Sequence, residues 1–169
     1  MLRRCSTLVS AATPVCALSA APGAAAGPPG TWTWPVVGPV IRAFDPPASP
    51  YGSGHRGIDI ATGTGSVVVA PASGTVSFAG AVGGHLFLTI AHGGGVSSTY
   101  SWLGGLTARR GDVVAAGDPI AVSGSGDPRA AAANLHLGVK LDGAYVDPLA
   151  YLGPLDLTTI VRLAPLQPA

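Results

Sequence analysis

The chain has 169 residues, enough for one domain with peripheral segments, and its formal net charge of +1 argues against the basic surface of a nucleic-acid-binding protein. Charged residues make up only 10%, whereas 25 glycines and 16 prolines accompany 47% apolar residues, a mixture that favours short strands joined by tight turns over a helical bundle. Every acidic residue is an aspartate, which excludes the metalloprotease helix that carries a glutamate between two zinc-binding histidines.

Residues 1–26 have the pattern of an export signal. A basic start at Arg3 and Arg4 precedes a moderately apolar segment at 6–21, and the alanines at 24–26 offer a site for signal peptidase. The alternative interpretation is a disordered N-terminus of low complexity. Both cysteines lie in this segment, so a cleaved, exported chain would carry no disulfide. No later apolar run is long enough to span a membrane.

Residues 27–50 form a lead-in rich in proline and glycine, which we expect to be extended and non-helical. Trp32 and Trp34 alternate in this lead-in. We expect them to pack against the domain, although an exposed aromatic ring could also contact a ligand that contains sugars. The domain itself is predicted over 51–153, and the tail at 154–169 has no clear pattern.

After residue 65 the chain consists of short alternating or apolar runs separated by turns. No helical periodicity is sustained between residues 62 and 149, and 130–133 offers at most one helical turn. Tyr100 and Trp102 are expected on one face of their strand. The sequence therefore predicts an all-β domain, with strands at 66–70, 75–79, 86–91, 96–103, 113–114, 120–123, 134–141 and 144–146.

Two stretches of this domain carry the residues of a metal site. In an extended segment His55 and Asp59 point to the same face, while Ile58 and Ile60 point to the other, into a core. The strand that contains His136 repeats this alternation. Two imidazoles and one carboxylate suit zinc, and three protein ligands leave a fourth position for water, as in catalytic sites. The sequence therefore predicts a zinc site formed by His55, Asp59 and His136.

Six motifs in fixed order resemble the M23 zinc metallopeptidases, the lysostaphin and LytM-like peptidoglycan endopeptidases. The motifs read HRGID, VVVAPASGTVSFAG, HGGGVSSTYSWL, RGDVVAAGDPIAVSGSG, NLHLGV and YVDPLAYL, and they span about 54–152. The resemblance implies an antiparallel barrel-sandwich hybrid with a groove over the metal. It also implies hydrolysis of peptide bonds in the stem or cross-bridge peptides of bacterial cell-wall peptidoglycan.

By this resemblance, His55, Asp59 and His136 match the three metal ligands of the family. Two further histidines of the family, which position the water and stabilise the oxyanion, are replaced by Trp102 and Asn134. Asn134 could orient a water or donate a hydrogen bond to an oxyanion, but it cannot accept a proton at neutral pH. The indole of Trp102 has no base function.

Three other roles follow from the positions of the remaining residues. Asp127, in the loop before the His136 strand, is a candidate for a substitute base, with a turn residue beside Pro128 as the alternative. Tyr100 and Trp102 are candidates for contacts with the substrate, and the alternative for Tyr100 is a tyrosine at the edge of the core. His85 borders the expected groove, and His92 is expected to be structural.

These observations favour a secreted zinc metalloendopeptidase of the cell wall. The second interpretation is a non-catalytic relative that binds wall peptide or activates a separate wall hydrolase. A third, a carrier domain of the biotinyl or lipoyl type, requires a lysine at an exposed hairpin tip. Lys140, the only lysine, lies instead in the apolar strand after His136, so this interpretation is set aside.

Overall fold

Strands dominate the residues that the computed structural model describes, which are 27–49 and 52–155. The predicted export signal and residues 156–169 of the tail lie outside these ranges. No helix formed by the described residues is long and apolar enough to cross a membrane. The ten strands are β1 Val40–Arg42, β2 Ile58–Ala61, β3 Val67–Val69, β4 Gly74–Val82, β5 His85–Gly93, β6 Val96–Leu106, β7 Val113–Val114, β8 Pro119–Ser123, β9 Asn134–Leu141 and β10 Ala144–Val146, followed by a 3-10 helix at Pro148–Ala150.

The predicted all-β fold is confirmed, and the strands run longer than the sequence indicated around one hairpin. β4 and β5 continue to a two-residue turn at Gly83 and Gly84, whose φ angles are 58° and 84°. Positive φ at both central residues is the backbone of the type I′ turn, which matches the twist of paired strands and favours glycine. The run at 130–133 forms turns and bends without a helix.

The strands form an antiparallel sheet in the order β1-β2-β9-β6-β5-β4-β7. β10 pairs with β9, and β8 pairs with both β3 and the end of β6, so that the sheet branches and encloses one core. This is the barrel-sandwich architecture that the resemblance implied. The centre of the core is formed by fully buried side chains from five strands: Ile58, Ile60, Val68, Leu88, Ile90, Ile120, Leu135 and Leu137.

The lead-in packs as part of this domain. Its strand β1 pairs with β2. Trp32 is buried and forms a parallel β-bridge with Leu152, which lies near the C-terminal end of the predicted domain in the sequence. The indole nitrogen of Trp34 donates a hydrogen bond to the carbonyl oxygen of Gly153 at 2.9 Å. The expectation that the tryptophans pack against the domain is therefore confirmed.

A bulge in β6 separates the faces of Tyr100 and Trp102. Tyr100 pairs with Leu88 and Leu103 pairs with Leu86, so two residues of β6 oppose the single Phe87 of β5. One of the two is Trp102, whose φ of 64° is left-handed and unusual for a residue with a side chain. The extra residue reverses the alternation. Tyr100 consequently points into the core while Trp102 is partly exposed, and the prediction of a shared face is wrong.

Candidate metal centre

The candidate metal site lies on the neighbouring strands β2 and β9, next to the edge strand β1. Asp59 on β2 pairs directly with His136 on β9, which in turn pairs with Ser101 on β6. On the other side of Asp59, Arg42 of β1 is its neighbour. Side chains opposite each other on paired strands lie about 5 Å apart at Cβ. The sheet therefore sets these four side chains in one row.

Alternation along β2 directs Asp59 to the site. Its neighbours Ile58 and Ile60 have no exposed surface and belong to the core, so the carboxylate between them faces the opposite side. The sequence predicted this arrangement.

The segment before β2 brings in His55. Its backbone forms a bridge with Asp45, with N–O distances of 2.7 and 3.0 Å. The ring nitrogen Nδ1 lies 2.8 Å from the carbonyl oxygen of Ala43. Because a carbonyl only accepts, Nδ1 carries the hydrogen, and Nε2 of a neutral ring presents its lone pair to the site.

Three atoms converge there. His55 Nε2 lies 3.1 Å from Asp59 Oδ1 and 3.1 Å from His136 Nδ1, and the last two atoms are 2.8 Å apart. When the hydrogen of a neutral His136 is on Nε2, all three atoms present lone pairs to one another and none of them has a proton to share. The second oxygen of Asp59, Oδ2, is buried without a hydrogen-bond partner.

This donor set fits a divalent cation. Tetrahedral zinc, with bonds of about 2.0–2.2 Å, holds its ligands roughly 3.3–3.6 Å apart, a few tenths of an ångström beyond the distances seen here. A cation would also compensate the buried carboxylate of Asp59, which is otherwise costly. The structure therefore brings together the three predicted ligands in an arrangement that can hold a metal.

A small polar cavity of about 180 Å³ opens over the two histidines. Its wall includes Ser101, Trp102 and Asp127, together with three arginines, Arg42, Arg56 and Arg129. A cavity of this size admits one or two small residues of a chain and not a drug-sized ligand.

Asp127 reaches this cavity, as predicted, but as the partner of arginines. Arg129 donates its Nε to Oδ1 at 3.1 Å and Nη2 to Oδ2 at 3.0 Å, and Arg42 Nη1 lies 3.6 Å from Oδ2. Burial alone would raise the pKa of Asp127, but the hydrogen bonds from Arg129 and the charges of both arginines outweigh it and lower that pKa. A carboxylate held in this way is a weak base, so the contacts of Asp127 do not support its predicted role as proton acceptor, which stays a prediction.

Asn134 is committed to the loop that precedes its strand. Its side chain is fully buried, and Nδ2 donates to the carbonyl oxygen of Ala132 at 2.8 Å. Oδ1 accepts a long hydrogen bond of 3.4 Å from the backbone nitrogen of Asp127. Its amide positions the loop and does not line the cavity, so these contacts do not support the catalytic role of Asn134, which stays a prediction.

Tyr100 is likewise no contact for a substrate. It is fully buried, and its hydroxyl donates to Ser98 Oγ at 2.9 Å. Ser98 donates in turn to Nε2 of His92 at 2.8 Å, and Nδ1 of His92 donates to the carbonyl oxygen of Ser73. Burial raises the pKa of Tyr100 and lowers that of His92. This chain is an internal network, so His92 is structural, as expected.

Trp102 stands at the rim, where a substrate could reach it. It lines the small cavity and also an adjoining groove of about 590 Å³. Its ring meets that of His85 edge-on, with 4.2 Å between centroids. Glycines at 84, 104, 124 and 126 leave the rest of this groove open.

Sequence reasoning missed the arginines of the cavity. Arg42 belongs to a lead-in strand and Arg129 to a loop, and no spacing in the sequence connects them with His55. Their meeting depends on the pairing of β1 with β2. Arg56 had a local signal, since it lies inside the HRGID motif.

Comparisons with known proteins agree with this architecture. Residues 53–148 match Peptidase family M23. An uncharacterised protein of Mycobacterium tuberculosis is 38% identical over 141 residues, which cover 79% of this chain and 55% of that protein. The murein hydrolase activator NlpD of Escherichia coli is 35% identical over 127 residues, 74% of this chain and 32% of NlpD. The chain thus spans about half or less of these relatives.

Solved structures give the same result. A zinc-containing peptidase from Vibrio cholerae superposes with a TM-score of 0.62 at 25% identity, covering 73% of this chain and 41% of that one. The catalytic domain of the prophage-encoded M23 protein EnpA from Enterococcus faecalis, solved as a point mutant, gives 0.57 at 26% identity, covering 73% of this chain and all (100%) of that one. With the family matched over most of its domain and the three-residue cluster in place, this chain belongs to peptidase family M23.

Proposed function

We propose that this protein is a zinc-dependent metalloendopeptidase that hydrolyses peptide bonds in the peptidoglycan of the bacterial cell wall. The observation that carries the proposal is the convergence of His55 Nε2, Asp59 Oδ1 and His136 Nδ1 beneath an open cavity. These three residues would hold the zinc. A bound zinc ion polarises a carbonyl group and lowers the pKa of its water towards neutrality.

The remaining residues orient the substrate. Ser101 and Trp102 lie beside the ligands, and the groove beyond Trp102 has room for an extended peptide. Trp102 offers a flat apolar surface and one N–H donor for the segment next to the scissile bond.

Turnover is expected to be slow. Trp102 and Asn134 occupy the positions of the family histidines, and Asp127 is a weak base because of its arginines. A positioned acid or base typically contributes about 10²–10⁴-fold to the rate, so its loss slows hydrolysis by that order while leaving zinc and substrate binding in place.

The same loss favours a second candidate function. NlpD, which is 35% identical, is named a murein hydrolase activator. An activator needs the groove for a wall peptide or a partner hydrolase but needs no proton transfer. The intact set of three ligands is what favours the peptidase.

Both functions place the protein outside the cytoplasm, at the cell wall. The predicted export signal at 1–26 supports this location, as do relatives that are named lipoproteins in Pseudomonas aeruginosa and Escherichia coli.

Two measurements test the proposal. Metal analysis of the purified protein should find about one zinc per chain, which His136→Ala removes and the matched control His85→Ala retains. Digestion of cross-linked peptidoglycan should then release fragments with new amino termini, and Asp59→Ala should abolish them. Zinc without cleavage, even in long digestions, would favour the activator. A protein that binds no zinc would refute the peptidase.

A further inference from the structure

Positive charge is concentrated at the cavity over the candidate metal centre. The chain as a whole is nearly neutral, yet three of its nine lysine and arginine residues line this one cavity of about 180 Å³. The acidic side chain on the same wall is Asp127. A divalent cation bound below would offset Asp59 and leave the cavity more positive still.

Asp127 neutralises only part of this charge. Its side chain is 3% exposed, and Arg129 supplies three donors to it: the backbone nitrogen at 2.9 Å, Nε at 3.1 Å and Nη2 at 3.0 Å. These contacts fill most of the accepting directions of the carboxylate. The carboxylate of Asp127 thus mainly compensates the charge of Arg129, and the charge of a second arginine is left uncompensated.

Arg42 is that second arginine. It contacts Asp127 through Nη1 alone at 3.6 Å, and among the described residues its side chain makes no other hydrogen bond or ion pair. The Nε and Nη2 donors of its guanidinium remain available for another acceptor, and the side chain is 36% exposed. Because Arg42 is the neighbour of Asp59 across β1 and β2, the sheet fixes it beside the metal ligands.

We infer that the cavity selects acidic peptides, with a free carboxylate beside the scissile amide bond bound by Arg42 and Arg129. Guanidinium groups hold carboxylates through paired, charge-assisted hydrogen bonds. A neutral cross-bridge peptide would cover Arg42 without offering it an acceptor, which is costly, whereas Arg129 keeps its contacts with Asp127. The inference rests on the proposed function and specifies the substrate class: acidic stem peptides, not neutral bridges.

Calorimetric binding to the zinc-loaded full chain tests the inference with two synthetic stem peptides. The peptides share one sequence, but the carboxylates of one are carboxamides in the other. The free acid should bind about tenfold more tightly, the effect of one charge-assisted pair. Arg42→Gln and Arg129→Gln should each reduce this ratio towards one, and Arg42→Lys should retain part of it. Arg109→Gln, in an exposed turn outside the cavity, is the matched control and should leave the ratio unchanged.

The outcomes separate this inference from the proposed function. Equal binding of both peptides by the wild-type protein would overturn the inference, even if zinc content and wall digestion are as proposed. A ratio that survives Arg42→Gln combined with Arg129→Gln would also overturn it. Failure of either variant to fold leaves the wild-type comparison decisive. If the wild-type protein binds neither zinc nor peptide, the proposed function fails as well.

Discussion

Replacing Gly57 by alanine should disrupt the metal site from a position that carries no ligand. Gly57 lies between His55 and Asp59 and packs against β9. A Cβ atom there would overlap the carbonyl oxygen of Leu137 and lie 2.8 Å from both the Leu137 carbonyl carbon and His136 Cε1. Carbon atoms in good contact are about 3.5–4.0 Å apart, so β2 and β9 must separate by roughly 1 Å.

The cost follows from the rigidity of the obstacle. Overpacking typically lowers the free energy of unfolding by about 1–3 kcal/mol. For Gly57→Ala we expect a loss of about 3 kcal/mol, because the added atom clashes with the backbone of a paired strand, which cannot rotate away. The melting temperature should fall by on the order of 10 °C. Because metal ligands tolerate only about 0.2 Å of displacement, zinc affinity should fall by about tenfold or more.

Thermal unfolding followed by circular dichroism, with zinc and with chelator, measures both effects. Gly63→Ala is the matched control, since a Cβ atom at Gly63 meets only Ser66 Oγ at 3.6 Å, an ordinary contact. The reasoning is wrong if the free energy of unfolding of Gly57→Ala lies within about 0.5 kcal/mol of that of the control and both variants bind zinc equally well. The close packing of Gly57 on β9 would then not hold the ligands in place.

Three further outcomes are expected. Asn134→Ala should lower the free energy of unfolding in urea by about 1–3 kcal/mol, because the loop loses the hydrogen bonds that this fully buried amide makes to the Ala132 carbonyl and the Asp127 backbone nitrogen. The zinc content should stay the same, and a loss of zinc would contradict a role in the loop alone. Trp102→His should raise the rate of peptidoglycan digestion by about 10²-fold or more, since it restores the family's proton-transfer group. Histidine also tolerates the left-handed backbone at this position better than tryptophan does. An unchanged rate would show that proton transfer does not limit turnover. The free energy of unfolding should fall as the pH falls below about 6.5, because burial keeps the pKa of His92 below its ordinary value and the unfolded chain takes up the proton first. His92→Gln should make the free energy of unfolding less dependent on pH in this range. An equally strong dependence in the variant would exclude His92 as the cause.

The convergence of His55, Asp59 and His136 was predictable because local rules largely determine it. His55 and Asp59 belong to one short motif, and alternation along a strand fixes which side chains share a face. His136 obeys the same rule on β9. The only non-local step was the pairing of β2 with β9, which the order of the family motifs implied.

Sequence reasoning gave an incomplete account where a local rule was interrupted or where distant residues meet. A bulge at Trp102 inverted the alternation that placed Tyr100 beside it, and no glycine marks this bulge in the sequence. Asn134 and His136 are two residues apart on β9, so alternation puts both side chains on the same face of the strand. Alternation does not determine which hydrogen bonds each side chain then makes. The environment of Asp127 depends on Arg42, 85 residues earlier along the chain, which no periodicity could reveal.

The hydrogen bond from His55 to Ala43 has a consequence for dissecting this protein. Ala43 and Asp45 precede residue 53, where the match to the family begins. A fragment cut at the limits of that match would contain every ligand and yet lack the acceptor that selects the imidazole tautomer. The His55 ring would then be free to rotate, and weak metal uptake by such a fragment would reflect the choice of boundary rather than the chemistry of the intact site.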